Sequence, residues 1–289
     1  MKSRLALFTL VLAFGLQPSA GLHAATTIDP ANPYAYAANL GWVDCRGDTS
    51  HGAVIGEYVC SGYLYSANAG WINLGSGSPT NGIRYQNLSA GDFGVNQDGL
   101  GNLRGYAWGA NIGWVRFEDT GAPGVDLLTG SLRGYAYSAN CGWICLSNAV
   151  AHVRTISIAA GADSDGDALP DAWELQNWGS LAPLPNEDSD GDGASNFAEY
   201  LAGTDPRNAS DCLRITAITR DNPPGTYTTL TWPGKMTRFY AAQWRNTLDP
   251  SDSWAEFYTA TYPGQSWLGC DVTTNQQFFR IRAFRPLQP

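Results

Sequence analysis

Four times in its first half, the chain alternates an aromatic residue with a small one, then runs through Asn-x-Gly into a tryptophan and a β-branched residue. The segments are Tyr34-Ala-Tyr-Ala-Ala-Asn-Leu-Gly-Trp42-Val, Tyr63-Leu-Tyr-Ser-Ala-Asn-Ala-Gly-Trp71-Ile, Tyr106-Ala-Trp-Gly-Ala-Asn-Ile-Gly-Trp114-Val and Tyr135-Ala-Tyr-Ser-Ala-Asn-Cys-Gly-Trp143-Ile. Alternation with period two predicts a strand with one face unlike the other. Asn and Gly tolerate positive φ, so each segment predicts a β-hairpin. The segments start 29, 43 and 29 residues apart, so the first and third, and the second and fourth, are separated by 72. A duplicated 72-residue unit carrying two hairpins is expected. The pattern leaves a sandwich, a barrel and a propeller-like or solenoid stack open.

The pattern changes at residue 163. Acids stand at positions 1, 3, 5 and 12 of Asp163-Ser-Asp-Gly-Asp-Ala-Leu-Pro-Asp-Ala-Trp-Glu174, and again 25 residues later in Asp188-Ser-Asp-Gly-Asp-Gly-Ala-Ser-Asn-Phe-Ala-Glu199. Short helices are expected to leave each loop, over Pro170–Trp178 and Ser195–Ala202, ending at Gly179 and Gly203. Beyond Cys212, six apolar runs at about ten-residue spacing predict strands. They are Leu213–Thr219, Thr228–Trp232, Arg238–Arg245, Ala255–Ala260, Ser266–Val272 and Gln277–Ala283. The fold class is therefore mainly β. A hairpin-repeat domain occupies 25–158, a short helical calcium-loop segment 163–211 and a β-sandwich 212–289.

Charge sharpens this picture. The net charge is −9, but twelve acids and one base, Arg207, fall within 163–211. A block of that kind is disordered or organised around cations. Calcium seeks six to eight oxygen ligands, and a 12-residue loop supplies them from positions 1, 3, 5, 7, 9 and 12. The candidate ligands are Asp163, Asp165, Asp167, the Leu169 carbonyl, Asp171 and Glu174 in the first loop. In the second they are Asp188, Asp190, Asp192, the Ala194 carbonyl, Asn196 and Glu199. Gly193 stands at position 6, where the loop turns sharply, whereas the first loop has Ala168 there. The first site is expected to be weaker or differently shaped. Ca²⁺ is the one cofactor implied. With 17 Lys and Arg against 26 Asp and Glu, the chain lacks the basic surplus of a nucleic-acid binder.

The repeats resemble the tandem Gly-Tyr-Ala-Trp-x-x-Asn-x-Gly-Trp repeats of secreted bacterial proteins, over roughly Pro30–Asn148. The acidic loops, with Glu199-Tyr-Leu-Ala-Gly-Thr-Asp-Pro206 at their end, resemble bacterial thrombospondin type 3 repeats and, more distantly, dockerin and EF-hand loops. The C-terminal strands resemble immunoglobulin or fibronectin type III modules. These resemblances imply an extracellular, calcium-binding protein.

Residues Met1–Ala24 read as a secretory signal peptide. Lys2 and Arg4 precede an apolar run of about 12 residues, shorter than the ~20 a membrane span needs. No membrane span is expected after cleavage. All six cysteines lie beyond this segment, as suits an oxidising compartment. Shifted by 72, Cys45 falls on Phe117 and Cys60 on Leu132, two apolar positions. A Cys45–Cys60 disulfide is therefore expected, with Cys212–Cys270 stapling the C-terminal sandwich. Cys141 and Cys145 pair with each other or form a metal site.

No nucleophile elbow, metalloprotease pair or phosphate loop is present. His51 and His152 stand alone, and Asp44, Glu57, Asp92, Glu118 and Asp126 share no motif. The repeat aromatics suit either packing between hairpins or a platform for sugar rings. Three functions are compatible with this sequence. The first is a secreted, non-catalytic, calcium-binding surface or matrix protein, in adhesion or in contact with polysaccharide or a cell-surface partner. The alternatives are a secreted polysaccharide hydrolase or accessory subunit, and an assembly subunit docking through the calcium segment.

Overall fold

Each Asn-x-Gly segment turns the chain back on itself. In the computed structural model, which describes residues 26–47, 50–220, 227–259, 262–271 and 278–288, β1 (Ile28–Ala37) and β2 (Gly41–Asp44) form the first hairpin, and β3 (Tyr63–Ser66) and β4 (Gly70–Asn73) the second. After β5 (Val95–Gln97), β6 (Leu103–Gly109) and β7 (Gly113–Phe117) form the third. A small β8 (Gly124–Val125) and β9 (Leu132–Arg133) ladder precedes the fourth, made by β10 (Tyr135–Ser138) and β11 (Gly142–Cys145). Neighbouring hairpins pair antiparallel in chain order, and β11 pairs back onto β1 through Tyr36↔Cys145 and Ala37↔Ile144. The eight arms thus close into a barrel, which removes their free edges. β12 (His152–Thr155) extends β1, and β5 extends β6.

The repeat asparagines lock this closure. Asn68 Nδ2 donates to the Leu40 carbonyl at 3.0 Å, Asn111 to Ala69 at 3.1 Å, Asn140 to Ile112 at 3.0 Å, and Asn39 to Cys141 at 3.1 Å. Each turn is tied to the turn of the preceding hairpin and the first to the last, so the bonds form a ring. Gly41, Gly70, Gly113 and Gly142 follow with φ of 72°, 75°, 69° and 79°, a region that costs other residues about 1–2 kcal/mol. The middle residues Leu40, Ala69, Ile112 and Cys141 are buried and pack in the common core. The 72-residue register shows in the serines. Ser66 Oγ donates to Leu40 O, and Ser138 Oγ to Ile112 O.

The barrel interior is narrow. Eight strands enclose only enough room for side chains to fill, and here Ala35, Ala37, Ser66, Ala107, Ala136 and Ser138 are buried in it. The aromatics alternate outward. Tyr36 lies opposite Trp42, Tyr65 opposite Trp71, Trp108 opposite Trp114 and Tyr137 opposite Trp143. Trp42, Trp71 and Trp143 remain 47–49% exposed. The rings therefore pack across each hairpin on the outer surface, with centroids 4.7–5.3 Å apart, rather than filling gaps between hairpins.

The expected disulfides do not form among the described residues. Cys45, Cys60, Cys141, Cys145 and Cys212 are all free thiols. Cys45 and Cys60 belong to separate ladders, Cys45 donating its amide to Pro33 and Cys60 to Val95. Both line one small core pocket together with Phe117 and Leu132, so each thiol acts as a small apolar filler. Burial pushes both up to about 12. Gly142 and Cys145 bound a four-residue strand about 10 Å long, which keeps Cys141 and Cys145 apart. Cys145 Sγ instead accepts from Asn148 Nδ2 at 3.3 Å. The Cys270 side chain and the signal-peptide segment lie outside the described residues.

After the acidic loops, β13 (Ala217–Arg220), β14 (Tyr227–Thr231) and β17 (Trp267–Asp271) make one antiparallel sheet, in the order β13-β14-β17. β16 (Ala255–Thr259), β15 (Phe239–Arg245) and β18 (Phe278–Phe284) make a second, in the order β16-β15-β18. Leu230, Trp232, Tyr240, Ala242 and Leu268 are buried between them, and the Trp232 and Tyr240 rings are 5.9 Å apart. The chain then returns to the barrel, where Ile158 N donates to Leu287 O.

Candidate metal centre and the junction it organises

Helices α1 (Asp171–Trp178) and α2 (Asn196–Ala202) leave the two acidic loops. Gly179 and Gly203 end them in the left-handed conformation, with φ of 71° and 72°. Ser195 caps α2 by accepting from Ala198 N. In each loop the first aspartate folds the backbone around itself. Asp163 accepts from the amides of Gly166, Asp167 and Ala168 at 2.8–3.1 Å. Asp188 accepts from Gly191, Asp192 and Gly193 at 2.8–3.2 Å. Ala168 adopts φ +82° where its counterpart Gly193 has +97°, so the first loop carries the strain expected of a non-glycine residue there.

This folding brings carboxylates of like charge together. One oxygen each from Asp163, Asp165 and Asp167 lie within 4.8 Å of one another, and the same holds for Asp188, Asp190 and Asp192. Glu174 and Glu199 are fully buried beside them. Among the described residues, both Glu174 oxygens, Asp167 Oδ2, Asp190 Oδ2, Asp192 Oδ2, Asn196 Oδ1 and Glu199 Oε2 have no hydrogen-bond partner. Burial first, then the neighbouring aspartates, raise Glu174 to about 7. Burial also raises Glu199 to about 7, against a hydrogen bond from Thr204 Oγ1 to its Oε1. Buried oxygens are ordinarily satisfied, and a buried carboxylate without a partner is costly. A hard divalent cation would meet both requirements, and these donors fit one: all are oxygens, and most are anionic.

The loops differ at position 9. Asn196 is fully buried, with Nδ2 on Leu184 O and Oδ1 left over. Asp171 instead accepts from Ser164 N and Oγ, so its carboxylate is engaged within the loop. At position 7, the Leu169 and Ala194 amides donate to Asp167 and Asp192. Burial first, then the neighbouring Asp192, push the Cys212 thiol up to about 11.

The helices pack Trp173 against Tyr200 at 5.6 Å and against Trp178 at 5.1 Å, with Leu169 fully buried alongside and Phe197 at the margin. Tyr200 then leads out of the segment. Its hydroxyl donates to Glu57 Oε2 at 3.1 Å. Glu57, from the barrel, also pairs with Arg238 at 3.1 Å and Arg285 at 2.8 Å, both from the sandwich. Both guanidiniums lie over the Tyr200 ring, at 5.9 and 5.2 Å. Arg238 further donates to the carbonyls of Tyr200 and Leu201 near the end of α2. Barrel, calcium-type loops and sandwich thus meet at one buried ionic junction. Of the residues that the sequence did not single out for this site, Glu57, Arg238 and Arg285 carry no local signal. Thr204 alone falls in a motif, the end of the second acidic repeat.

Among the described residues no helix is long and apolar enough to cross a membrane. No curated protein and no solved structure matches the chain. One family model does, that of the bacterial TSP3 repeat, and it matches residues 188–209, which hold the second acidic loop and all of α2.

Proposed function

We propose that the chain is a secreted, non-catalytic, calcium-binding protein in which two Ca²⁺ ions hold the barrel and sandwich together, and that the barrel makes contact with carbohydrate. The observation that carries the calcium reading is the coincidence, in both loops, of an aspartate triplet with a fully buried glutamate that keeps at least one oxygen without a partner. The inward face of the helices is occupied by the barrel's Tyr58 and by Arg238, which favours an internal bracing role over docking to a separate subunit. The exposed Tyr-Trp-Tyr and Tyr-Trp-Trp clusters support carbohydrate contact, because aromatic rings suit the apolar faces of pyranoses.

Titration calorimetry of chelator-treated protein with CaCl₂ tests the first part. Two sites in the range of about 10⁻⁴–10⁻³ M, usual for extracellular modules, are expected. No uptake at millimolar calcium, together with identical melting with and without chelator, overturns the reading.

A further inference from the structure

The third aromatic cluster is built differently from the other three. Beside it, the linker joining the two 72-residue units raises a loop over residues 86–93. Phe93 from this loop meets Trp114 at 5.2 Å, and Trp114 also meets Tyr106 at 5.9 Å and Trp108 at 4.7 Å. Loop and hairpin enclose an open cleft of about 300 Å³, lined by Asn87, Leu88, Ser89, Phe93, Tyr106 and Trp114 among others, with no acid or base. At the second and fourth clusters the tryptophan lies against a glycine instead, Trp71 on Gly47 and Trp143 on Gly121.

The loop is held in shape from within. Asp92 is buried and accepts from the amides of Thr80 and Gln86 at 3.0 and 2.9 Å. Asn87 Oδ1 accepts from Gly94 N at 3.0 Å, and Asn87 N donates to Asp92 O. A wall fixed in this way loses little conformational freedom when a ligand arrives. Leu88, at the rim, is 88% exposed.

We propose that this cleft is the principal carbohydrate subsite of the barrel and that it takes a ring of an uncharged glycan. The proposal rests on the carbohydrate reading above and gives it a place and a ligand class. Trp114, Phe93 and Tyr106 offer aromatic faces to the C–H side of a sugar ring, while Ser89 offers a hydroxyl to its hydroxyls. A uronate or sulfated sugar would lose hydration of its charge here without meeting a cation. The cleft lies at the small end of the ~300–1,000 Å³ of ligand sites. The other three clusters repeat the same outward aromatics around a closed barrel. A polymer that offers one unit many times is the ligand that profits from such repetition, through effective concentration.

Affinity electrophoresis tests this with the full chain in calcium, on gels containing β-glucan, xylan, galactomannan or starch, with polygalacturonate as the charged comparator. Retardation by at least one neutral polysaccharide is expected. Trp114→Ala should weaken it at least tenfold, and Trp42→Ala less than threefold. Ala90→Trp adds bulk on the exposed wall and leaves every native aromatic in place. It should weaken binding as Trp114→Ala does, and it decides the matter if Trp114→Ala fails to fold. Retardation that survives Trp114→Ala and Ala90→Trp but not Trp42→Ala overturns the placement. Retardation by polygalacturonate alone overturns the ligand class. No retardation on any gel overturns the carbohydrate reading, and this proposal with it.

Discussion

Removing calcium should act first on α2 and then on the junction. Without cations, each loop holds three aspartates within 4.8 Å and a buried glutamate, and the amides donated to Asp163 and Asp188 offset only part of their repulsion. At a free calcium concentration ten times the dissociation constant, each site adds about 1.4 kcal/mol by mass action, so both add about 3 kcal/mol. For a chain of this size, that shifts melting by roughly 5 °C. The loss should be local before it is global. Glu199 sits in α2 one residue before Tyr200, whose hydroxyl and carbonyl both enter the junction. Hydrogen exchange should therefore quicken over 196–204 on chelation, then around Glu57 and Arg238, with the barrel hairpins protected throughout. The pH dependence follows from Glu174 and Glu199, both raised to about 7 in the metal-free fold. A raised folded value means the stabilisation from proton uptake is complete below the ordinary carboxylate range and is lost as pH rises towards 7. Chelated protein should accordingly melt higher at pH 5 than at pH 8, and saturating calcium should remove or reverse that order. Exchange over 196–204 that is unchanged by chelator, or a pH trend unaffected by calcium, would refute the reasoning.

Glu57→Ala leaves the Arg238 and Arg285 guanidiniums buried without a counter-charge and should cost about 3–5 kcal/mol in urea unfolding, with Glu57→Gln costing less because it keeps hydrogen-bond acceptors. Ala168→Gly should relieve the φ of +82° and tighten the first calcium site severalfold by calorimetry, since a left-handed L-residue carries about 1–2 kcal/mol of strain; Gly193→Ala should weaken the second site by a similar factor. Asn111→Ala removes the donor to Ala69 O and should lower barrel stability by about 1 kcal/mol, whereas an unchanged urea midpoint would show that the ring of turns does not hold the barrel. Cys45 and Cys60 should resist alkylation in the native protein and react fully in denaturant, and a Cys45–Cys60 cross-linked peptide in mass spectrometry would contradict the free thiols.

Local patterns were legible wherever a local rule governs. The hairpin arms, the helix stops at Gly179 and Gly203, and the six C-terminal strands lie within a few residues of where turn chemistry and period place them. The clustering of aspartates in each acidic loop was legible because alternation within a short loop is itself local. Pairing across the chain was not. The 72-residue shift correctly set Cys45 and Cys60 in the same core as Phe117 and Leu132. It did not distinguish a shared core from a shared bond, because thiols fill apolar space as readily as they bridge it. The junction of Glu57, Tyr200, Arg238 and Arg285 spans three regions that no spacing rule connects.

The aromatic stripe shows where period two stops short of a fold. Alternation states that the two faces of a strand differ; it does not state which one is inside. In an open sheet the larger residues would be buried, because they carry most of the apolar area. A barrel closed from short arms reverses that preference: its interior takes Ala35, Ala107 and Ala136, and an indole there would hold the arms apart. Closure therefore decides the orientation of every aromatic, and closure depends on β11 reaching β1 and on the ring from Asn39 to Cys141 O. The same event that completes the core leaves the tyrosines and tryptophans on the outer surface. The outward aromatic surface is thus a consequence of how the barrel closes, and substitutions in the turns should alter both together.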